Sequence, residues 1–551
     1  MIRFITDEKG IMSENKDLHW WQRGVIYQIY PRSFMDSNGD GIGDLQGIID
    51  KLDYLNDGTE NSLGIDAIWI SPFYPSPMKD FGYDIADYCG IDPMFGDMAT
   101  FDRLLQAAHK RGIKVVIDYV PNHSSDQHEW FKMSRSSRDN PKRDWYIWKD
   151  AKPDGSRPNN WGSMFGGPAW TWDEKTGQYY FHQFVPDQPD LNWRNPEVRQ
   201  AMVDVLRFWL ERGVDGFRMD VVYLIMKHPD MPDQPDLPNP DPTRKPNDIY
   251  GRQQHIYDEN YEGIQDIIKE FRQLLDEFGD TVGIAELWLD LPEWVQYYGE
   301  KPGEGMHLPF NFRLIELRQW NAEAMRQSVD ELEAIVPEWG WPNYVLGSHD
   351  IPRMASRFGQ AAARTAAMLL LTLRGTPTLY NGDELGIENA DIPPEKAQDP
   401  QGVNIGGERN RDINRTPMQW DASTHAGFST VEPWLPVSPD YETRNVAVQG
   451  DDPDSILSLY RRLIWYRKQT PALYGGSYRT LTAPEGCYIY LREKDGQRIY
   501  VALNFTDDIK DVTLIEPGRV AISTHVDRDD QRVGEEILTL RANEGVIIEL
   551  A

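Results

Sequence analysis

Val214-Asp215-Gly216-Phe217-Arg218-Met219-Asp220 is a short apolar run that ends in a carboxylate. A run of this length is too short for most helices and reads as a buried parallel strand. Moving outward, the same pattern recurs toward the N-terminus at Val25-Ile26-Tyr27-Gln28-Ile29-Tyr30, at Ile65-Asp66-Ala67-Ile68-Trp69-Ile70-Ser71 and at Val115-Val116-Ile117-Asp118. Toward the C-terminus it recurs at Val282-Gly283-Ile284-Ala285-Glu286, more weakly at His307-Leu308-Pro309-Phe310, then at Tyr344 to Asp350 and Thr376 to Tyr380. Helix-period segments lie between them: 101–109 before the third strand, 198–210 before the fourth and 264–278 before the fifth. Eight alternations of strand and helix argue for a (β/α)8 TIM barrel, although periodicity alone also fits a doubly wound sheet.

Two spacings break the rhythm. About 95 residues separate the third and fourth strands, more than one helix and its loops use. That stretch is rich in Trp, Gly, Pro and Asn, so a small inserted β domain is expected at 121–193. Met226 to Tyr250, dense in Pro and Asp, reads as a long loop. After a helix-like segment from Ser455 to Arg467 the pattern turns to alternation, as in Cys487-Tyr488-Ile489-Tyr490-Leu491. The expected division is a barrel over 18–120 and 194–475, the insertion, and an antiparallel C-terminal β-sandwich over 476–551.

Composition limits the function. The chain has 551 residues, of which 40% are hydrophobic, enough for a large core. With 57 basic and 88 acidic side chains its formal charge is −31, which repels phosphate and argues against nucleic acid as a partner. Two cysteines, Cys89 and Cys487, cannot form a disulfide framework. The first residues contain no apolar signal-peptide core, and no apolar run approaches membrane-spanning length, so a cytoplasmic protein without a membrane partner is expected. The aromatic side chains (19 Trp, 26 Tyr, 19 Phe) suit both a core and stacking against sugar rings.

Barrel chemistry sits at the C-terminal ends of the strands. Asp118, Asp220, Glu286 and Asp350 all fall there, at proposed strands three, four, five and seven. Any one alone could be a helix cap or a structural ion-pair member. Four at one mouth raise one another's pKa, so that one keeps a proton, while Arg218, two residues before Asp220 and on the same strand face, favours ionisation. A protonated acid beside an ionised carboxylate is the equipment for glycoside hydrolysis with retention.

Asp118-Tyr-Val-Pro-Asn-His123, Gly216-Phe-Arg-Met-Asp220, the Glu286 strand and His349-Asp350 resemble, in order, the four conserved regions of glycoside hydrolase family 13, the α-amylase family. Gln188-Pro-Asp-Leu-Asn192 resembles the fifth region of its oligo-1,6-glucosidase and α-glucosidase branch. The resemblance runs from Trp20 into the C-terminal domain and looks closest to bacterial α-glucosidases. It implies Asp220 as nucleophile, Glu286 as acid and then base, and Asp350 as the stabiliser of the distorted sugar. It implies that Arg218 keeps Asp220 ionised and that His123 and His349 bind hydroxyls of the nonreducing glucose. Asp84 would grip that glucose and Tyr83 would stack on it, closing the site to a pocket. Either Arg411 or Arg415 would reach the same subsite. Phe165 and Phe184 would line the outer subsite, or serve as core of the insertion. Val221, directly after the nucleophile, leans toward α-1,6 linkages, or is a barrel-wall residue.

Asp36-Ser-Asn38-Gly-Asp40-Gly-Ile42-Gly-Asp44 alternates oxygen donors. It is not an EF-hand, because the twelfth position is Gly47 where Glu is required. The resemblance implies one structural calcium, or magnesium, on Asp36, Asn38, Asp40, Asp44 and the Ile42 carbonyl, and no organic cofactor. Asn122 would brace the active site without binding metal. The implied activity is that of a retaining exo-α-glucosidase on maltose, isomaltose and short oligosaccharides, working as a monomer or homodimer. An oligo-1,6-glucosidase, a transglucosylating enzyme, and a trehalose or isomaltulose synthase share the same motifs. A catalytically dead relative of transporter heavy chains would need a membrane helix and broken catalytic positions, and this sequence has neither.

Overall fold

The computed structural model describes residues 18–405, 410–534 and 537–551. Strands β1 (Ile26–Ile29), β2 (Ala67–Ile70) and β3 (Lys114–Tyr119) are followed by a small antiparallel sheet of β4 (Trp148–Lys149), β5 (Trp170–Asp173) and β6 (Gln178–Phe181). Parallel strands resume with β7 (Gly216–Met219), β8 (Val282–Glu286), β9 (Leu308–Phe310), β10 (Asn343–Val345) and β11 (Thr376–Tyr380). The eight parallel strands pair in the order β10-β11-β1-β2-β3-β7-β8-β9, which is a (β/α)8 barrel with one seam between β9 and β10. Pro309 in β9 has no N–H for a ladder there. The Asn343 side chain bridges the seam: its Oδ1 accepts from the Asn311 N–H at 3.0 Å and its Nδ2 donates to the Pro309 carbonyl at 2.5 Å.

Period-two alternation divides the strands' side chains between two cores. Ile26, Trp69, Val116, Ile284, Phe310 and Val345 fill the barrel, whose N-terminal end is closed by Trp20, Trp21 and Trp341. Their neighbours, such as Tyr27, Ile68, Ile117 and Phe217, face outward into a second core with the surrounding helices. Each large apolar side chain so buried contributes about 1.5–3 kcal/mol before entropy is counted. Helix ends follow sequence signals. Asp97 caps Met98–Lys110 by accepting from the Thr100 N–H, and Asn195 caps Pro196–Arg212, which Gly213 ends at φ 105°.

The C-terminal strands are β12 (Ser477–Leu481), β13 (Cys487–Lys494), β14 (Gln497–Asn504), β15 (Lys510–Thr513), β16 (Gly518–Ser523), β17 (Arg532–Val533), β18 (Ile537–Leu540) and β19 (Gly545–Leu550). Six form one sheet, β15 and β18 form another, and Ile489, Tyr500, Leu514, Leu540 and Ile548 lie in their shared core. Two buried arginines fasten this region to the barrel. Arg467 donates to the Leu371 and Gly375 carbonyls and Arg492 to that of Thr372, at the C-terminal end of helix Gln360–Thr372, where positive charge is favoured. No helix among the described residues is long and apolar enough to cross a membrane.

The seventh barrel strand departs from expectation. It ends at Val345, and Asp350 stands on the loop beyond it, where Ser348 and Ile351 form an isolated bridge. A side chain at Gly347 would collide with the Asp383 carboxylate, at 2.5 Å, so the chain leaves the barrel wall there.

Candidate active site

Arg218 is the centre of the site. It projects inward from β7, is 2% exposed, and faces three carboxylates. Its Nη1 donates to Asp118 Oδ1 at 2.8 Å and to Asp220 Oδ1 at 2.5 Å, while Nη2 lies 2.6 Å from Glu286 Oε2. Strand register explains the convergence: Asp118 pairs with Arg218 across β3 and β7, Glu286 ends β8 next door, and Asp220 shares Arg218's inward face. Trp69 donates its indole N–H to Asp118 Oδ2 at 2.8 Å.

One guanidinium cannot neutralise three buried carboxylates. Burial raises the Asp118 carboxyl to about 6, with Arg218 opposing. Burial likewise pushes Asp220 well above the usual carboxylate range, with Arg218 opposing and Glu286 and Asp118 adding to the rise. The Arg218 charge is thus divided among Asp118, Asp220 and Glu286, so it opposes the rise at Asp220 without cancelling it.

Glu286 has every oxygen engaged. Oε1 accepts from the Trp288 indole at 2.8 Å, and Oε2 accepts from the Val221 N–H at 2.9 Å as well as from Arg218. Val221 can aim its N–H there because it adopts a left-handed backbone, φ 34° and ψ 41°, a costly conformation for a β-branched residue.

Asp350 faces this cluster with a different balance. Arg411 Nη1 reaches its Oδ1 at 3.2 Å and Arg415 Nη2 at 3.0 Å, so both arginines meet it. Burial would raise the Asp350 carboxyl, but the Arg411 and Arg415 guanidiniums beside it win and hold it well below the usual range. His349 is kept neutral by burial. Gln28 Nε2 approaches its Nδ1 at 2.7 Å, and its Nε2 lies 2.8 Å from the Tyr83 hydroxyl and 3.2 Å from Asp350 Oδ2. Tyr83 stacks on the His349 ring at 5.5 Å.

The structure moves one expected residue out of the site. Asp84 is fully buried, and its carboxylate accepts from Ser76 Oγ and from the backbone N–H groups of Lys79 and Asp80, as the closing anchor of a turn. The carboxylate that joins the site is Asp80, four residues earlier: Arg411 Nη2 donates to it at 2.8 Å and Gln188 Nε2 at 3.1 Å. Asp399 holds Arg411 from the other side at 2.7 Å. His123, kept neutral at about 3 by burial and the nearby Lys227, touches Gln188 Nε2 at 3.0 Å. Phe165 and Phe184 form an edge-to-face pair at 5.2 Å, with His123 beside Phe184 and the Arg411 guanidinium over Phe165. Both phenylalanines are buried in the main hydrophobic core, apart from the small cluster of Trp161, Ala169, Trp170, Phe181 and Met231.

A model of the alpha-amylase catalytic domain matches residues 28–476, most of the chain. The chain belongs to the α-amylase family. Among α-amylase family relatives, a probable alpha-glucosidase of Rhizobium meliloti is 42% identical, over 89% of this chain and 90% of the relative. An oligo-1,6-glucosidase of Heyndrickxia coagulans is 41% identical over 89% and 92%. Of solved family structures, an alpha-glucosyl transfer enzyme matches with TM-score 0.89 at 40% identity, over 97% of this chain and 100% of the other. The trehalulose synthase of Pseudomonas mesoacidophila matches with TM-score 0.86 at 38% identity, over 97% and 99%.

Two other family positions were tested by geometry. Asn122 Oδ1 receives the Lys227 ammonium at 2.7 Å, and Lys227 also pairs with Asp190, so a side-chain cation stands beside Asn122. In the loop 36–44, Asp36 accepts from the N–H groups of Asn38, Gly39 and Gly41, and Asp44 from Ser37 and Gly47. Among the described residues no three His, Cys, Asp or Glu side chains gather as a metal-ligand group. Several of the loop's oxygens accept from its own backbone N–H groups, which fixes the loop's conformation.

Proposed function

We propose that this protein is a retaining exo-acting α-glucosidase that releases glucose from the nonreducing end of short α-glucosides. The observation that carries it is the single guanidinium of Arg218 spanning Asp220 and Glu286. This contact places the two carboxylates side by side at one guanidinium, the paired arrangement that glycoside hydrolysis requires. In the first step an ionised Asp220 oxygen bonds to the anomeric carbon. The bond to the leaving oxygen breaks, and Glu286 gives that oxygen its proton. In the second step Glu286 takes a proton from water, the water oxygen bonds to the anomeric carbon, and Asp220 departs, giving α-glucose. Asp350, held ionised, binds ring hydroxyls. Asp80 with Arg411 closes the far end into a pocket for a terminal glucose. Asp220→Asn should abolish glucose release from p-nitrophenyl α-glucoside while leaving the thermal transition in place; retained activity would overturn the assignment.

The names of the relatives favour a second reading within the same chemistry. A sugar acceptor in place of water gives transglucosylation, and internal return of fructose gives sucrose isomerisation. A product time course on maltose, isomaltose, trehalose and sucrose separates these, and Val221→Thr should shift preference from isomaltose toward maltose if Val221 supports α-1,6 linkages. A cytoplasmic location, and a monomer or homodimer, complete the proposal; fractionation of the source cells and sedimentation test them. A calcium or magnesium ion on residues 36–44 is a separate proposal supported by the alternating oxygens alone. Bound metal after dialysis, and a fall in Tm on chelation, would support it; a metal-free, chelator-indifferent protein would end it.

A further inference from the structure

We infer that Trp288 is a positioning residue for the acid/base Glu286, and that it couples this carboxylate to a pocket on the leaving-group side. This inference rests on the reading of Glu286 as the acid. Trp288 follows Glu286 by two residues, on the loop that leaves β8. Its indole N–H donates to Glu286 Oε1 at 2.8 Å, while its ring lies flat on Phe312, with centroids 4.0 Å apart and planes 4° from parallel. Phe312 in turn meets Phe310 edge-on at 4.9 Å, so the stack continues into the barrel core. Trp288 thus carries a fixed donor on a braced, half-buried ring.

The other face of this arrangement is a cavity of about 290 Å³, lined by Trp288, Phe312, Glu259, Asp290, Glu293 and Arg313 among others. A cavity of this size takes about one sugar ring, and it adjoins the loop behind the acid. A group leaving from the anomeric carbon toward Glu286 would pass along the Trp288 ring, and contact with that ring would act on the carboxylate through the indole N–H.

The three donors on Glu286 differ in kind. Arg218 is shared with Asp118 and Asp220, and the Val221 N–H is fixed by backbone. Trp288 alone brings a donor from a loop side chain. Its indole N–H holds Oε1, the oxygen that must later face the leaving group.

Removing that N–H leaves the acid less well placed, which matters most for leaving groups that need a proton. The test is Trp288→Phe, which keeps the stack and deletes the donor, with Phe312→Leu, which keeps the donor and loosens the stack. Both are assayed on maltose and on p-nitrophenyl α-glucoside from pH 4 to 10, with thermal unfolding as a fold control and Glu286→Gln as the reference. Expected for Trp288→Phe is a loss of about tenfold on maltose and under threefold on the nitrophenyl glucoside. Phe312→Leu should show the same substrate split, smaller in size. Equal losses on both substrates would overturn the inference about Trp288. If Glu286→Gln itself fails to discriminate between leaving groups, the reading of Glu286 as the acid is what fails.

Discussion

Replacing Arg218 by Met is the perturbation with the largest calculable consequence. The guanidinium is 2% exposed and contacts Asp118, Asp220 and Glu286, so its loss leaves three buried carboxylates facing one another. Removing one partner of a buried ion pair costs about 3–5 kcal/mol. The carboxylates limit that cost by taking up protons, and this gives the prediction its sign. Asp118 and Asp220 already titrate above their ordinary range in the folded chain. A carboxylate whose folded-state pKa is raised contributes stability that is present below its unfolded pKa, near 4, and lost as pH rises through the folded value. Without Arg218 those folded values climb further. The Tm deficit of Arg218→Met should therefore be small at pH 5 and grow toward pH 8. Activity should fall as well, because the nucleophile must be ionised; a loss of about 10²–10⁴ in kcat/KM on p-nitrophenyl α-glucoside corresponds to about 3–5 kcal/mol. Differential scanning calorimetry at both pH values, beside initial rates, measures this. A Tm deficit that shrinks toward pH 8, or a variant within tenfold of the parent, would refute the charge-sharing argument.

Three further outcomes follow from the same geometry. Asp80→Ala should raise KM for maltose at least tenfold with little change in Tm, whereas Asp84→Asn, which loosens a turn anchored by Ser76, Lys79 and Asp80, should lower Tm with a smaller kinetic effect; steady-state kinetics and calorimetry separate them. Asp350→Asn should reduce kcat/KM on maltose by about a thousandfold, since it removes the carboxylate that Arg411 and Arg415 keep ionised; a loss under tenfold would contradict that placement. Lys227→Met should destabilise the chain by about 3–5 kcal/mol, seen as a lowered urea midpoint, because it leaves Asp190 buried without its cation.

The barrel and its carboxylates were legible because the physics that buries a parallel strand also writes a pattern. Apolar runs mark the strands, and carboxylates at the ends of three of them mark the mouth, so Asp118, Asp220 and Glu286 could be grouped before any geometry. Asp350 was grouped correctly for a partly mistaken reason, because its strand ends five residues earlier and a loop delivers it. Asp80 was missed in favour of Asp84 because a tight turn carries two carboxylates four residues apart, and only the turn's hydrogen bonds tell anchor from ligand. The choice between Arg411 and Arg415 could not be made from sequence, and the structure brings both to Asp350. Asn343 at the seam, Lys227 beside Asn122 and Trp288 against Glu286 had no sequence signal of their own. Asn343 and Lys227 act on partners brought close by topology, and Trp288, two residues from Glu286, needs the turn of the loop after β8 to aim its indole back. The loop 36–44 shows the converse: alternating oxygens were visible, but alternation also describes a loop whose carboxylates cap its own N–H groups.

The central claim is that Asp220 becomes covalently bonded to glucose and that Glu286 serves both halves of the reaction. Incubation with 5-fluoro-α-glucosyl fluoride, followed by peptic digestion and mass spectrometry, measures it directly. The account predicts a fluoroglucosyl adduct on the peptide containing Asp220, absent in Asp220→Asn and accompanied by α-glucose as the first anomer released from maltose. An adduct on any other residue, or β-glucose appearing first, would contradict it.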